Sequence, residues 1–424
     1  MFTVCFVGGG HIVRRLPEIF ARNNVKIVMF GVQNNPISES PYIDEYVGLS
    51  NLLTDTWGDV VLRNTDRILE TNADWYIIDG DETATRLANS ELSVKHKFKL
   101  LPCGNQVGLK VLGSKAGLAK LSKEVDFGFP TSSVAETHSE LETELNIWDG
   151  PLYIKGDQGG GGLKVRFFAE ANEVRSAEIP KDWFPLVLQQ QVLGKLISVE
   201  ALFWQGEIRG WLYSEGIEFA GSYGPTTTRR YINPPRLDFL NHLEVLGQVA
   251  ELHGLFNCSF VWQVNELKHY LFEADPRPNL WHQFGPNLGV DWIEIIQNDG
   301  LIVAQKNLPD KGFELSLYPR ELVYLIQSGK VRLLFRWLLR RQGTWDVRNH
   351  SDFSVNLIEL SEIKNEIRNL QLLKLMLRGI SFCRQVILKI MSFIYHSLPL
   401  SWRNYLFHKG IGTWIKSAFG VSSD

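Results

Sequence analysis

The stretch Glu273-Ala274-Asp275-Pro276-Arg277-Pro278-Asn279 closes an apolar run, Tyr270-Leu271-Phe272. In an extended strand, residues i and i+2 point to the same face. Glu273 and Asp275 are therefore expected to project together, with Arg277 close behind. Hard oxygen ligands gathered on one face suit Mg²⁺, which takes one or two carboxylates and completes its shell with substrate phosphates and water. A guanidinium beside them can brace a phosphate oxygen with two parallel hydrogen bonds. The same residues also fit a solvated turn at a strand end, since the flanking prolines mark ordinary turns. The choice between the two depends on what lies upstream.

Upstream, residues 1–110 alternate short apolar strands with helical segments: strands at Val4–Val7, Lys26–Phe30 and Asp74–Ile78, and a helix through Arg14–Asn23. This alternation predicts a parallel sheet. Gly8-Gly9-Gly10 after the first strand is short of a full GxGxxG and reads either as a tight turn or as a phosphate loop at a helix start. Asp79-Gly80-Asp81-Glu82, at the end of the third strand, either lines a cleft or caps a helix. Residues 111–187 start with a helix over Ser114–Val125, stopped by Gly128-Phe129-Pro130. The strand Pro151–Lys155 follows, then Gly159-Gly160-Gly161-Gly162 and a strand over Leu163–Phe168. Four consecutive glycines can lay bare amides against an anion and can close over a substrate. Residues 188–306 carry strands at Leu186–Val192, Ile197–Phe203 and Trp211–Tyr213, and a helix over Leu237–Leu252. A hairpin, Ser259–Val264 with His269–Glu273, closes the unit.

At 424 residues the chain has room for about three domains of ~150 residues. It is 44% hydrophobic and 21% charged, ordinary for a globular protein. A net charge of -3 implies no global attraction to nucleic acid. Cys5, Cys103, Cys258 and Cys383 lack the spacing of a metal finger, which predicts a reduced cytoplasmic protein. The apolar N-terminus lacks a basic flank and reads as a first strand rather than a signal peptide. No apolar run reaches the ~18–20 residues of a spanning helix.

Lys115 on a helix, Lys155 at a strand end, a glycine flap and paired carboxylates together supply charge neutralisation and positioning for nucleotide phosphoryl transfer. No GxxxxGK[ST] loop is present, which excludes a P-loop enzyme. This order resembles the ATP-grasp superfamily over residues 111–306. The resemblance implies an α/β chain with a Rossmann-like domain (1–110), an α+β small lobe with the glycine flap (111–187) and an α+β large lobe with the metal site (188–306). Residues 307–424 lie outside the resemblance, and their basic amphipathic composition is read as a helical C-terminal region. The resemblance implies that Lys115 and Lys155 are the two nucleotide lysines. Gln190, Gln191 and Val192 then fall at the adenine-contacting hinge. Glu273 and Asp275 fall on the Glu-x-Asn metal pair, Arg277 on the family's arginine, and Gln263 on the preceding strand that gives a further metal contact. Gly224-Pro225-Thr226-Thr227-Thr228-Arg229 resembles a basic loop facing phosphate or substrate. Three positions depart from the family. Leu196 stands where a ribose-binding glutamate is common, which shifts that role to Glu200. The hinge carries glutamines where an acid is common. Asp275 replaces asparagine.

Each residue also has a structural reading. Lys115 fits a solvated helix lysine, Gln263 a sheet hydrogen bond, and Arg229 and Arg230 pairing with acids. Trp281 and His282 fit core packing as well as a substrate wall. The implied cofactors are ATP and Mg²⁺, with Mn²⁺ as a substitute. The implied reaction activates a carboxylate as an acylphosphate and joins it to an amine, or less favourably a thiol, with Arg277 and Arg229 acting on phosphate or substrate. The substrate pocket is assigned to the loops 79–82, 224–230 and 279–286. A nucleotide-binding regulatory protein with a degenerate site is the competing class, and a nicotinamide oxidoreductase using Gly8–Gly10 a distant one. Residues 331–341 and 367–424 combine basic and large apolar residues at helical spacing. That composition suits either peripheral contact with a membrane's inner face or a helical subdomain, including one that pairs two copies of the chain.

Overall fold

The computed structural model describes residues 1–8, 13–22, 24–50, 56–220, 223–298, 303–304 and 308–317, with Ser361 and Lys364. Among these residues the chain forms three sheets. The readings of the C-terminal basic segments, of Cys383 and of Gly9-Gly10 fall outside the described residues.

The first sheet is parallel. It holds β1 (Phe2–Val7), β2 (Val25–Val32), β3 (Glu45–Leu49) and β4 (Trp75–Ile78) in the order β3-β2-β1-β4. Val4, Cys5, Phe6 and Val7 are all fully buried, as a parallel strand covered on both faces requires. β3 was not expected from sequence. Its five residues include an exposed charge, Glu45, and an exposed glycine, Gly48, which gives it a weak apolar signal. Gly8 marks a close approach, because a Cβ there would lie 2.1 Å from Asp79 Cγ. The free thiols of Cys5, Cys103 and Cys258 are buried.

The second sheet is antiparallel, in the order β5-β8-β6-β7. It contains β5 (Ser132–Ala135), β6 (Leu152–Gly156), β7 (Val165–Phe168) and β8 (Leu186–Gln190). Leu152, Ile154, Leu186 and Leu188 face a core closed by Leu141 and Leu145 of the helix His138–Ile147. Strand alternation sends Tyr153, Lys155, Val187 and Gln189 to the opposite face. There Val187 packs on Ala116 and Ala119 of the helix Lys115–Leu121.

The third sheet runs β13-β12-β9-β10-β11-β15, and β14 pairs with β10. Its strands are β9 (Lys195–Trp204), β10 (Glu207–Phe219), β11 (Thr226–Tyr231), β12 (Gly254–Gln263), β13 (Lys268–Asp275), β14 (Val303–Ala304) and β15 (Phe313–Ser316). One face buries Ile197, Val199, Ala201 and Phe203 with Phe239, Leu243 and Leu246 of the helix Asp238–Ala250. β15 lies beyond residue 306 and pairs with β11, so the sheet continues past the boundary expected there. Thr226–Tyr231, expected as a loop, is a strand; consecutive threonines favour extended backbone. No helix among the described residues is long and apolar enough to cross a membrane.

Candidate functional site

The opposite face of the large sheet carries a largely buried polar patch beside Leu202, Leu212 and Leu255, and its register can be read row by row. Asp275 pairs with Asn257, Asn257 with Glu200, and Glu200 with Leu212. The next row is Glu273, Ser259, Ser198, Ser214 and Tyr231. Paired residues share a face, so Glu273 and Asp275 do project together. A bulge between Ser259 and Phe260 falls beside them.

A cavity of about 700 Å³ opens over this corner. The helix Lys115–Leu121 contributes Lys115, the glycine turn contributes Gly159 and Gly160, and β13 contributes Glu273 and Asp275, with Arg277 just beyond it. The N-terminal unit contributes Asp79, Gly80, Asp81 and Glu82. Of the two readings of this acidic loop, the cleft lining holds, and the helix start at Gly80 has no side-chain cap. Asp81 and Glu82 form the first turn of the helix Asp81–Ala88, where negative charge complements the helix dipole. Lys164 lines the same space and is tethered to Asp182 at 3.0 Å.

Charges in the cavity are tightly paired. Lys115 Nζ lies 3.3 Å from Glu273 Oε1 and donates to the carbonyl of Gly159 at 3.1 Å. Burial alone would lower the Lys115 pKa, but Glu273 and Asp275 hold it above its usual value. Burial, together with Asp81 and Glu273, pushes the Asp275 carboxyl well above the usual carboxylate range despite Arg277 beside it. Arg277 Nη2 donates to Asp81 at 2.7 Å and to Asp275 at 3.3 Å. That guanidinium thus ties the N-terminal unit to β13 while lining the cavity.

Lys155 is buried on the site-facing side of the small sheet. Its Nζ donates to Gln189 Oε1 at 2.6 Å and sits 4.7 Å from the Phe272 ring centroid. Burial lowers its ammonium to about 8. The glutamine that meets it is Gln189 rather than Gln190. Gln189 pairs with Tyr153 and Gln190 with Leu152, so alternation turns the Gln190 side chain away. The amides of Gln190 and Gln191 donate to Thr131 and Pro151 carbonyls, and Val192 follows outside the strand.

Other expectations are corrected. Gln263 pairs with Lys268 at the far end of the hairpin, while Ser259 faces Glu273. Four residues of strand, about 13 Å, separate it from the carboxylates, so it does not join them. Glu200 and Arg229 are buried against each other, which leaves neither open to ribose or phosphate. Arg229 also donates to Thr226 Oγ1 at 2.6 Å and stacks over Trp281. Arg230 pairs with Glu314. Trp281 and His282 are core residues, and burial lowers the His282 imidazole to about 3.

Sequence reasoning missed Asp157. Its Oδ1 accepts from Ser114 Oγ and from the Ala116 amide, both at 2.8 Å. It thereby pins the start of the glycine turn to the helix that carries Lys115. Gln189 could have been found by parity with Lys155, whereas Asp157 had no signal beyond its place before the glycines.

The sequence matches no family model and no curated protein. Solved structures do match. An N5-carboxyaminoimidazole ribonucleotide synthetase in complex with ADP aligns over 77% of this chain and 85% of its own, at TM-score 0.58 and 17% identity. The biotin carboxylase domain of a 2-oxoglutarate carboxylase from Hydrogenobacter thermophilus, bound to MgADP and bicarbonate, covers 71% of each chain at 0.53 and 15%. An L-amino acid ligase from Bacillus licheniformis covers 71% of this chain and 74% of its own at 0.51 and 14%. At these identities the likeness is one of fold: the chain has the ATP-grasp fold.

Proposed function

We propose that this protein is an ATP- and Mg²⁺-dependent ligase that joins a carboxylate to an amine. One observation carries the reading. A single cavity collects a helix lysine, a glycine turn and two carboxylates from the adjoining strand, Lys115, Gly159-Gly160, Glu273 and Asp275. These are the groups that hold a nucleotide's phosphates at a reacting centre. Ligases and nucleotide complexes among proteins of the same fold support it, and the parallel sheet is read as their Rossmann-like unit.

Glu273 and Asp275 fit Mg²⁺ by donor chemistry: both line the cavity on one face, and two carboxylates are what the ion takes when phosphates complete its shell. Mn²⁺ fits the same set. The ion supplies charge neutralisation at the phosphates. Lys115 and Lys155 would hold the phosphate oxygens from two sides, and the glycine turn would exclude water. The substrate carboxylate oxygen attacks the γ-phosphorus, the bond to the β-phosphate oxygen breaks, and ADP leaves. The amine nitrogen then attacks the acyl carbon, the acyl–phosphate bond breaks, and phosphate leaves as the nitrogen gives up its proton to solvent. This sequence asks for no nucleophilic side chain. It asks for positioning and electrostatic stabilisation.

Phosphate release from Mg-ATP, measured with paired panels of amino acids, small carboxylates and amines, tests the reading. A ligase releases ADP and phosphate only with a matching pair. Tight ATP binding without turnover across all pairs would move the assignment to a nucleotide-binding regulatory protein.

A further inference from the structure

The Asp275 carboxylate is held by one of its two oxygens. Asn257 Nδ2 donates to Oδ2 at 3.0 Å and Arg277 Nη2 to the same atom at 3.3 Å. Asp275 lines the cavity, and no hydrogen bond to Oδ1 is formed among the described residues. Clamping one oxygen of a carboxylate turns the other outward. The clamp itself is built from behind. Asn257 Oδ1 accepts from Asn279 Nδ2 at 2.6 Å, and that nitrogen also donates to Glu200 Oε1 at 3.2 Å. Glu200 Oε1 in turn receives the Arg229 guanidinium, which Thr226 and the Trp281 ring hold in place.

The amide of Asn257 therefore has one workable orientation. Its carbonyl faces the Asn279 donor, so its NH₂ faces Asp275. Asn257, Asn279, Glu200 and Arg229 are all buried. A buried carboxylate–guanidinium pair is costly to form and adds little net stability. It makes a rigid anchor that a hydrophobic pair of similar volume would not supply. The row Asp275–Asn257–Glu200 spans three neighbouring strands, and Asn279, just beyond β13, joins Asn257 to Glu200.

We propose that Asn257 is a positioning residue that selects which oxygen of Asp275 faces the cavity, with Asn279 and the Glu200–Arg229 pair fixing its amide. The proposal deepens the reading of Asp275 as a Mg²⁺ ligand and rests on it. Partners one step behind a metal ligand typically carry about 10–100-fold in metal affinity.

The test is calorimetric titration with ADP, needing no acceptor substrate, over a series of Mg²⁺ concentrations and in EDTA. Asn257→Ala should raise the Mg²⁺ concentration giving half the metal-dependent gain in ADP affinity by about tenfold. ADP affinity in EDTA should not change. In an Asp275→Asn background the same substitution should add nothing. Asn279→Ser, which keeps a side-chain acceptor for the turn that follows, should shift the Mg²⁺ requirement in the same direction and carries the test if Asn257→Ala fails to fold. An unchanged Mg²⁺ requirement, an equal loss in EDTA, or a full additive effect beside Asp275→Asn would overturn the proposal while leaving the nucleotide site intact. Absence of ADP binding by the unsubstituted chain would overturn the ligase reading and this proposal with it.

Discussion

Lys155 carries the sharpest single-residue consequence. Burial brings its ammonium down to about 8, with Lys115 adding to the shift and Glu273 opposing it. The unfolded chain keeps this proton to about 10.4. Between the two values the unfolded state binds more protons, so the nucleotide-free protein should gain stability as pH rises through that window. ADP affinity should move the other way, because only the charged lysine neutralises phosphate. It should be level below pH 8 and fall by up to about tenfold per unit above it. Lys155→Met should bind weakly and lose that pH dependence; calorimetric titration from pH 7 to 10 reads both, and a pH-independent wild-type affinity would remove Lys155 from the site. The carboxylates behave differently. Glu273→Gln and Asp275→Asn keep volume and remove charge, so losses should fall on turnover, by about 10²–10³-fold, more than on ADP affinity in EDTA. Asp275→Asn should retain the larger share, since it restores the residue common in this fold and leaves Glu273 beside Lys115. Wild-type turnover by Glu273→Gln at limiting Mg²⁺, once a substrate pair is known, would refute the metal assignment.

The glycine turn divides its work unevenly among four identical residues. Gly162 has φ +75° and a Cβ there would lie 2.1 Å from the Tyr223 carbonyl oxygen. Gly160 has open space around it. Forcing a non-glycine residue into left-handed backbone costs about 1–3 kcal/mol, and each 1.4 kcal/mol is about tenfold in an equilibrium. Gly162→Ala should therefore weaken ADP binding roughly tenfold, and Gly160→Ala should stay within about twofold of wild type. Gly160→Ala should melt close to wild type, and Gly162→Ala lower, because its strain is carried by the folded chain. Equal affinities for the two variants would show that the turn does not close on the nucleotide. Elements of this kind were legible because glycine runs and apolar alternation are local signals. The hairpin β12–β13 and the strands around Lys155 were readable for the same reason. Strands β3 and β11 were not, since Glu45 and Gly48 interrupt the first and Thr226–Arg230 leave the second without an apolar run.

At the scale of the whole molecule, the parts that assemble the cavity come from all three sheets, and no sequence window contains that fact. The pairing of Glu273 with Asp275 was readable from two-residue spacing. The burial of Glu200 against Arg229 was not, because it depends on β9 and β11 flanking β10. Gln263 failed for a related reason: the hairpin register, set by the turn at 264–267, carries it away from the carboxylates. A site shared among three units should also couple them. Arg277 already bridges Asp81 of the first unit to β13, and Lys115 bridges the glycine turn to Glu273. A ligand seated among these groups binds the folded chain and not the unfolded one. At about 100 times its dissociation constant it adds about 2.7 kcal/mol to stability. MgADP should raise the melting temperature by a few degrees, and the three units should unfold in one transition rather than separately. In EDTA the same ADP concentration should give a clearly smaller rise, because no ion then neutralises the phosphates beside Glu273 and Asp275. Glu273→Gln should lose most of the Mg²⁺-dependent part and keep the rest. Scanning calorimetry of the full chain with ADP, MgADP and EDTA checks this. Identical shifts with and without metal would place the nucleotide away from the two carboxylates, whatever the turnover assays show.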